Sequence, residues 1–242
     1  MGGVAQLGAA LRSTWTQTLD FFTVVIHRSS DILGGLSLTL QLTAWAAVLG
    51  FALAVPLVVG VLYGNGFFKQ LCKGFITVVR GTPMLVQLFF IFYGLPSLGV
   101  RFNPMTAAVI GFVINSSAYQ AEYLKGGFLA ISREQLEASY SIGLSKMETV
   151  RLILFPQALR FAIPALSNEI VYLIQYTSVA YIIAVPELFA QMQFLASDKF
   201  MYLPSYLFVG AIYLILIFIV NRLTAWVEKK LSIPGFDLAH LK

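Results

Sequence analysis

Long stretches of uncharged, mostly hydrophobic residues recur along the chain, separated by short polar segments. The first runs from Ile32 to Phe68 without a single Asp, Glu, Lys or Arg. A helix of about 20 such residues is long enough to cross the hydrocarbon core of a bilayer. Stretches of this kind lie at about residues 33–62, 75–95, 104–123, 163–185 and 204–224. The pattern predicts an all-α polytopic membrane protein with five transmembrane helices.

The composition agrees with a membrane protein. Hydrophobic residues make up 58% of the chain and charged residues only 11%, against about 45–50% and 25% in soluble domains. The net charge of +5 is compatible with binding to nucleic acid or to anionic lipid. In a membrane protein, however, such an excess is typical of cytoplasmic loops, where Lys and Arg concentrate. No nucleic-acid partner is therefore expected.

The distribution of Lys and Arg predicts the orientation. Five spans place the two chain ends on opposite sides of the membrane, and the cytoplasmic side carries the larger number of basic residues. The cytoplasmic set is then Lys69, Lys73, Lys125, Arg133, Lys146, Arg151, Arg160, Arg222, Lys229, Lys230 and Lys242. The outer set is Arg12, Arg28, Arg101 and Lys199, with Arg80 near the inner boundary. The predicted orientation is N-out and C-in.

The two chain ends and the few Cys and His residues carry little further signal. Residues 1–32 are predicted to be an interfacial amphipathic helix or an ordered lead-in, and residues 226–242 a cytoplasmic tail. The single Cys72 cannot form an internal disulfide. His27 and His240 lie at opposite ends of the chain, so no metal site is expected.

Residues 133–160 interrupt the hydrophobic pattern with seven charges. Two helix starts are predicted in this stretch. Ser132 followed by Gln135, and Ser145 followed by Glu148, fit the capping box, in which each side chain bonds to the other residue's backbone N–H. The sequence therefore predicts two short helices on the cytoplasmic side.

The same stretch contains residues that end helices. Gly143 is expected to stop the first helix, because glycine adopts the left-handed conformation at little cost. Pro156 is expected to break or kink the second, because it has no N–H to donate. Apolar residues at helical spacing, Val150 and Leu154 among them, give this element an apolar side. It either lies against the chain's own spans or docks into a partner, and the pattern alone leaves both open.

The loop resembles a known family motif. From Glu137 to Pro156 the sequence follows E-A-S-x3-G-x9-I-x-F-P, which resembles the EAA loop, E-A-A-x3-G-x9-I-x-L-P, of ABC-importer permeases. In that family the loop is a coupling helix that inserts into a cytoplasmic ATPase subunit. The resemblance implies ATPase coupling by Glu137, Ala138, Ser139, Gly143 and Pro156. Arg151 either contacts the same partner or remains a solvated charge.

Other segments resemble the polar-amino-acid branch of these permeases. They lie at residues 78–96, 118–131, 155–169 and 184–189. The resemblance implies a type I ABC transmembrane domain over residues 33–225. It also implies the partners: two permease chains, identical or sister, two ATPases and an external solute-binding protein, in a bacterial inner membrane. ATP and Mg²⁺ would be bound by the ATPase partner, with no cofactor on this chain.

Polar residues within the predicted spans are candidates for a substrate pathway, because such groups are costly in lipid and usually face a pathway or one another. The candidates are Asn115, Tyr119, Glu122, Asn168, Glu169, Gln175 and Ser178. The alternative is that they only hydrogen-bond to backbone or to neighbouring helices. Arg80 and Glu122 lie near the inner boundary and are expected to form either a gate or a structural ion pair.

No catalytic motif is present. The chain lacks the G-x-x-x-x-G-K-[ST] phosphate loop, so ATP hydrolysis is assigned to a partner and the chain is not expected to be an enzyme. The predicted function is that of the permease subunit of an ATP-driven importer for polar amino acids. The alternative is a self-contained secondary transporter or channel that uses Glu122 and Glu169. The absence of an internal inverted repeat disfavours it.

Overall fold

The computed structural model describes residues 20–231, and this part of the chain is helical without any β-strand. Residues 20–27 form a helical segment. The helices that follow are α1 (Ser29–Tyr63), α2 (Gly66–Gly81), α3 (Met84–Phe89), α4 (Pro104–Leu129), α5 (Arg133–Ser141), α6 (Lys146–Glu148), α7 (Phe155–Tyr176), α8 (Leu188–Lys199) and α9 (Tyr202–Leu231). The predicted lead-in before residue 20 and the tail beyond residue 231 lie outside the described residues.

Within residues 20–231, three continuous helical runs are long and apolar enough to cross a membrane. They are α1, the run Lys146–Ile183 that contains α6 and α7, and Tyr202–Lys230 in α9. A bent pair, α2 with α3, raises the number to four if it counts as one span. Helix α4 has 26 residues but is not in this set, since its middle carries several polar residues. The predicted total of five spans and the N-out orientation stay predictions.

The second predicted span, residues 75–95, is not one straight helix. Helix α2 ends at Gly81, and the chain turns by 104° before α3 continues as a π-helical turn (Phe90–Gly94) and a 3₁₀ turn (Leu95–Leu98). The break lies at Thr82 and Pro83, both of extended backbone conformation. Proline lacks an N–H and disfavours a helical residue before it, which accounts for the break.

The side chain of Gln87 closes this break. Its Nε2 donates to the carbonyl oxygens of Val79 at 2.7 Å and Thr82 at 3.0 Å, and to the Thr82 hydroxyl at 2.9 Å. The carbonyl of Val79 belongs to the last turn of α2, where it also accepts from the Thr82 N–H at 3.5 Å. The bend is therefore held by specific hydrogen bonds within a hydrophobic environment.

The centre of the bundle consists of α1, α4 and α7, and it is packed through small residues. On α1, a Cβ added to Gly50 would lie 3.1 Å from the Ser116 Cβ of α4 and 2.9 Å from the Gln120 side chain. Gly127 of α4 lies just as closely against the backbone of Ala158 in α7. Small residues let helix backbones approach, which is a common way for helices to associate in membranes.

Helix α8 was not predicted, and it depends on the fully buried Glu187. This carboxylate caps α8 by accepting from the backbone N–H groups of Phe189 at 2.9 Å and Ala190 at 2.8 Å. It also accepts from the hydroxyls of Tyr213 in α9 at 3.2 Å and Thr39 in α1 at 3.5 Å. A single side chain thus connects α1, α8 and α9.

Substitution of Glu187 tests this connection. Glu187→Ala leaves buried N–H and O–H donors without an acceptor, and we expect a loss of about 3 kcal/mol in the free energy of unfolding. The thermal midpoint in detergent should fall by about 5–10 °C. The buried Cys72 provides the signal, because a thiol-reactive dye labels it only on unfolding.

The matched control is Glu137→Ala, which removes an exposed carboxylate. Its midpoint should stay close to that of the unmodified protein. Glu187→Gln, which retains one acceptor oxygen, should fall between the two. Equal midpoints for Glu187→Ala and the control would contradict a connecting role for Glu187.

Candidate functional site

The polar loop contains the first predicted helix, and it ends where the sequence indicates. Helix α5 covers Arg133–Ser141, and Gly143 adopts the left-handed conformation at φ +85°. The N–H of Gly143 donates to the carbonyl of Tyr140 at 2.9 Å, and that of Leu144 to the carbonyl of Ser139 at 3.2 Å. These bonds satisfy carbonyls of the last helical turn. The prediction for Gly143 is confirmed.

One predicted capping box forms and the other does not. The Ser145 hydroxyl accepts from the N–H of Glu148 at 3.4 Å, and the Glu148 carboxylate accepts from the N–H of Ser145 at 2.9 Å. The box predicted for Ser132 is wrong, since its side chain makes no capping bond. The Ser132 hydroxyl bonds instead to the carboxylate of Glu134 and lowers its pKa. The first N–H groups of α5 therefore have no side-chain cap from Ser132.

Of the two effects predicted for Pro156, a break or a kink in the second helix, the break does not occur. The chain passes from α6 through a π-helical segment (Thr149–Leu154) directly into α7, and Pro156 lies in the first turn of α7. Proline is accepted in a first turn, where its missing N–H is not needed, and the wider turns before it give the ring room. The loop is therefore continuous with a long apolar helix.

The loop has a buried side and an exposed side. Val150 and Leu154 pack in a hydrophobic cluster with Cys72 and Ile76 of α2. Ser139 is also buried, and its hydroxyl donates to the Leu136 carbonyl. The other predicted coupling residues are all exposed: Glu137, Ala138, Gly143, Arg151 and Pro156. The buried side fixes the loop against the bundle and leaves the predicted coupling residues accessible.

Large apolar residues on the exposed side of the loop are left largely uncovered by the described part of the chain. Ile142 is 73% exposed and Met147 63%, with Tyr140 and Leu152 close to half exposed. They surround the turn at Gly143. Clustered apolar side chains on a polar loop indicate a protein interaction site.

Arg80 and three of the predicted pathway residues, Asn115, Tyr119 and Glu122, lie close to the bend between α2 and α3. Arg80 lies 3.6 Å from the Glu122 carboxylate, which also pairs with Lys125 at 3.0 Å. The Arg80 guanidinium lies over the Tyr119 ring, 5.3 Å from its centre. Asn115 donates to Gln87 at 3.2 Å. The predicted pairing of Arg80 with Glu122 is present in the structure.

These groups border a cleft of about 420 Å³. Its lining includes Arg80, Thr82, Asn115, Tyr119 and Tyr176. It thus combines one guanidinium, a side-chain amide and two phenol rings. This combination can bind a carboxylate and the apolar part of a small zwitterion.

Glu169 belongs to a second polar group, between α1, α4 and α7. It is 5% exposed and accepts from the Ser116 hydroxyl at 2.8 Å. Gln120 donates to Ser116 at 2.8 Å and to the carbonyl of Ala47 at 3.2 Å. The group connects the three central helices and borders a cleft of about 320 Å³.

The remaining candidates lie elsewhere. Gln175 and Ser178 line a third cleft of about 320 Å³, together with Phe189, Tyr206 and Tyr213. Asn168 is exposed beside Glu169 in sequence. The seven predicted pathway residues are therefore distributed over separate surfaces and do not form one site.

Sequence reasoning did not select several residues that organise these sites. Gln87 bonds to the end of α2 across the Thr82–Pro83 bend, and Glu187 accepts from hydroxyls of α1 and α9. No local pattern identifies these contacts. Ser116 and Gln120, by contrast, are four residues apart on α4, and this spacing places both on one helix face. Among residues 20–231, no group of three His, Cys, Asp or Glu side chains is arranged to hold a metal ion.

Curated relatives of this chain are permease proteins of amino-acid transport systems. The chain is 35% identical to the probable amino-acid ABC transporter permease protein PatM of Vibrio harveyi, over 87% of this chain and 96% of that protein. It is 36% identical to the glutamine transport system permease protein GlnP of Escherichia coli strain K12, over 80% and 91% of the two chains.

Solved structures show the same architecture. An amino acid ABC transporter crystallised with histidines superposes with a TM-score of 0.81 at 30% identity, over 86% of this chain and 98% of that chain. A chain of the inward-facing MetNI methionine ABC transporter has a TM-score of 0.74 at 17% identity, which shows the fold alone. The family described as binding-protein-dependent transport system inner membrane component matches residues 46–233. The chain belongs to this family.

Proposed function

We propose that this inner-membrane protein is the permease subunit of an ATP-driven ABC importer for polar amino acids. The observation that carries the proposal is the exposed apolar turn at Gly143, which is continuous with a long apolar helix through α6 and α7. A partner that binds the turn moves a helix of the bundle directly. Membership of this family implies two kinds of partner, an ATPase and a substrate-binding protein.

The finer assembly belongs to the same proposal. The chain has five spans in the N-out, C-in orientation and pairs with a second permease chain, identical or sister. ATP and Mg²⁺ bind to the ATPase, and this chain is not itself an enzyme. Glu137, Ala138, Ser139, Gly143, Arg151 and Pro156 form the docking loop.

The substrate class rests on the named relatives and on the cleft beside Arg80. The relatives include an Escherichia coli glutamine permease protein and probable amino-acid permeases from Vibrio harveyi and Bacillus subtilis. Asn115 and Tyr119 face this cleft with the Arg80 guanidinium. An amino acid offers the carboxylate and the polar side chain that these groups can bind.

We assign Arg80 and Glu122 to an inner gate. Glu122 pairs with Lys125 within α4 and with Arg80 at the end of α2, so a movement of α2 relative to α4 separates the Arg80–Glu122 pair. The pairing also argues against the secondary-transporter alternative, since Glu122 is engaged with cations and Glu169 with Ser116. Neither carboxylate stands free as an ion site.

Charge reversal on the loop tests docking. Glu137→Lys should lower the affinity for the ATPase at least about tenfold, which corresponds to about 1.4 kcal/mol, because the exposed carboxylate is replaced by the opposite charge at the contact. The measurement is the amount of ATPase that co-purifies at graded concentrations. Membrane insertion should be unchanged.

Asp20→Lys provides the matched control, since it reverses an exposed carboxylate near the opposite, outer end of the proposed topology. ATPase retention should stay at the level of the unmodified protein. Full retention by Glu137→Lys as well would remove the loop from the docking surface.

Substitutions that remove the Arg80–Glu122 ion pair distinguish a gate from a structural contact. Glu122→Gln should raise ATP hydrolysis without binding protein about fivefold, a typical coupling effect, because the closed state loses the Arg80–Glu122 pair between α2 and α4. Stability should change by less than about 1 kcal/mol, since both side chains are partly exposed. The exchange Arg80→Glu with Glu122→Arg should restore part of the coupling.

Hydrolysis rates and thermal midpoints are measured on the same preparations. A lower midpoint with unchanged basal hydrolysis would assign the pair to structure alone. Raised hydrolysis with an unchanged midpoint is the result that the gate predicts.

A further inference from the structure

Helix α2 presents three different faces. Cys72, Ile76 and Val79 are buried against the bundle. Phe67, Leu71 and Val78 form an exposed apolar stripe, with Phe67 82% exposed. These positions recur at four- and seven-residue intervals and therefore share one side of the helix. Gly74 lies on the same side, and a Cβ there would meet nothing within 4 Å.

The third face is polar and basic. It carries Gln70, Thr77 and Arg80, together with the two lysines Lys69 and Lys73. Arg80 pairs with Glu122. Neither Lys69 nor Lys73 has an acidic partner within 4 Å among residues 20–231. The two lysines are thus the basic groups of this face left for an external anion.

The direction of α2 follows from the bend that separates it from α3. Helix α3 runs antiparallel to α4, because Gln87 contacts Asn115 and Leu88 lies against Gly111, one turn earlier in α4. The axis turns by 104° between α2 and α3. The axis of α3 is aligned with that of α4, which crosses the bundle. Helix α2 therefore lies nearly at right angles to both, along the surface of the membrane.

Its neighbours place α2 at one end of the bundle. It begins after Gly64 and Asn65, directly at the end of α1, and Cys72 lies close against Gly60 in the last turn of α1. Nearby, Lys146 of the polar loop lies over the ring of Tyr63. Helix α2 and the loop therefore occupy the same end, which the basic residues assign to the cytoplasm.

We propose that α2 is an in-plane helix of the inner membrane interface and that Lys69 and Lys73 bind the headgroups of anionic phospholipids. An exposed apolar stripe beside a basic face is typical of helices that lie in the interface. A cytoplasmic leaflet rich in anionic lipid attracts such lysines. The apolar stripe enters the acyl-chain boundary and the lysines remain at headgroup level.

Depth measurements test the orientation. Single cysteines are introduced by Phe67→Cys, Leu71→Cys and Val78→Cys and spin-labelled in nanodiscs made with phosphatidylglycerol. Cys72 is buried, so the unmodified protein should remain unlabelled under native conditions and serves as the control. Labels at residues 67 and 78 should lie at depths within about 5 Å of each other, whereas a helix along the membrane normal would separate them by about 16 Å. The larger separation would overturn the in-plane assignment.

Lipid retention tests the lysines. The double variant Lys69→Gln, Lys73→Gln is compared with Lys199→Gln, which changes an exposed lysine at the far end of α8. Native mass spectrometry counts phosphatidylglycerol retained after purification from mixed phosphatidylglycerol and phosphatidylcholine nanodiscs. Each lysine should contribute about fivefold in relative affinity, while phosphatidylcholine retention stays constant.

Two results would overturn the lipid assignment. One is equal phosphatidylglycerol retention by the double variant and the Lys199→Gln control. The other is loss of the ATPase from the double variant with its lipid intact, because that would make the lysines a protein contact.

Discussion

A helix inside hydrocarbon must satisfy its own backbone polar groups, and the rest of this structure depends on that constraint. At three places within residues 20–231, a specific device keeps the backbone polar groups satisfied. Gln87 bonds to the carbonyls freed at the Thr82–Pro83 bend. Glu187 accepts the first N–H groups of α8. A π-helical segment carries the chain into Pro156 without a break.

These devices also determine how the molecule can move. The bend at Thr82 turns α2 away from α3 and places Arg80 beside Glu122, while the uninterrupted helix after Glu148 connects the polar loop to the bundle. The loop continues into α7, and the Arg80–Glu122 pair lies on α4. Because α4 packs against α7, the loop and the ion pair are connected through these two helices. An event at the exposed turn can reach the cleft beside Arg80 through two packed helices.

Much of this architecture could be predicted from the sequence, because its signals are local. The uncharged run from Ile32 onward, the stop at Gly143 and the capping box at Ser145 each depend on neighbouring residues. The predictions failed where the sequence allows more than one arrangement. Ser132 bonds to Glu134 and makes no capping bond, and Pro156 is accommodated by the π-helical turns that precede it. The role of Glu187 depends on Thr39 and Tyr213, which are far away in the chain.

The candidate pathway shows the same limit. Polar residues within the spans could be identified, but which of them share a cleft depends on helix rotation. Arg80 and Tyr119 meet at one cleft, whereas Gln175 and Ser178 line another. Sequence spacing orders residues along one helix, and only the packing between helices brings their faces together.

Uptake of a labelled polar amino acid into proteoliposomes tests the central claim most directly. The permease is reconstituted with its co-purified ATPase and binding protein, and ATP is supplied on the ATPase side while ionophores collapse all ion gradients. The account predicts uptake that requires ATP and continues without any gradient. Uptake that proceeds without ATP and stops with the ion gradient would contradict it.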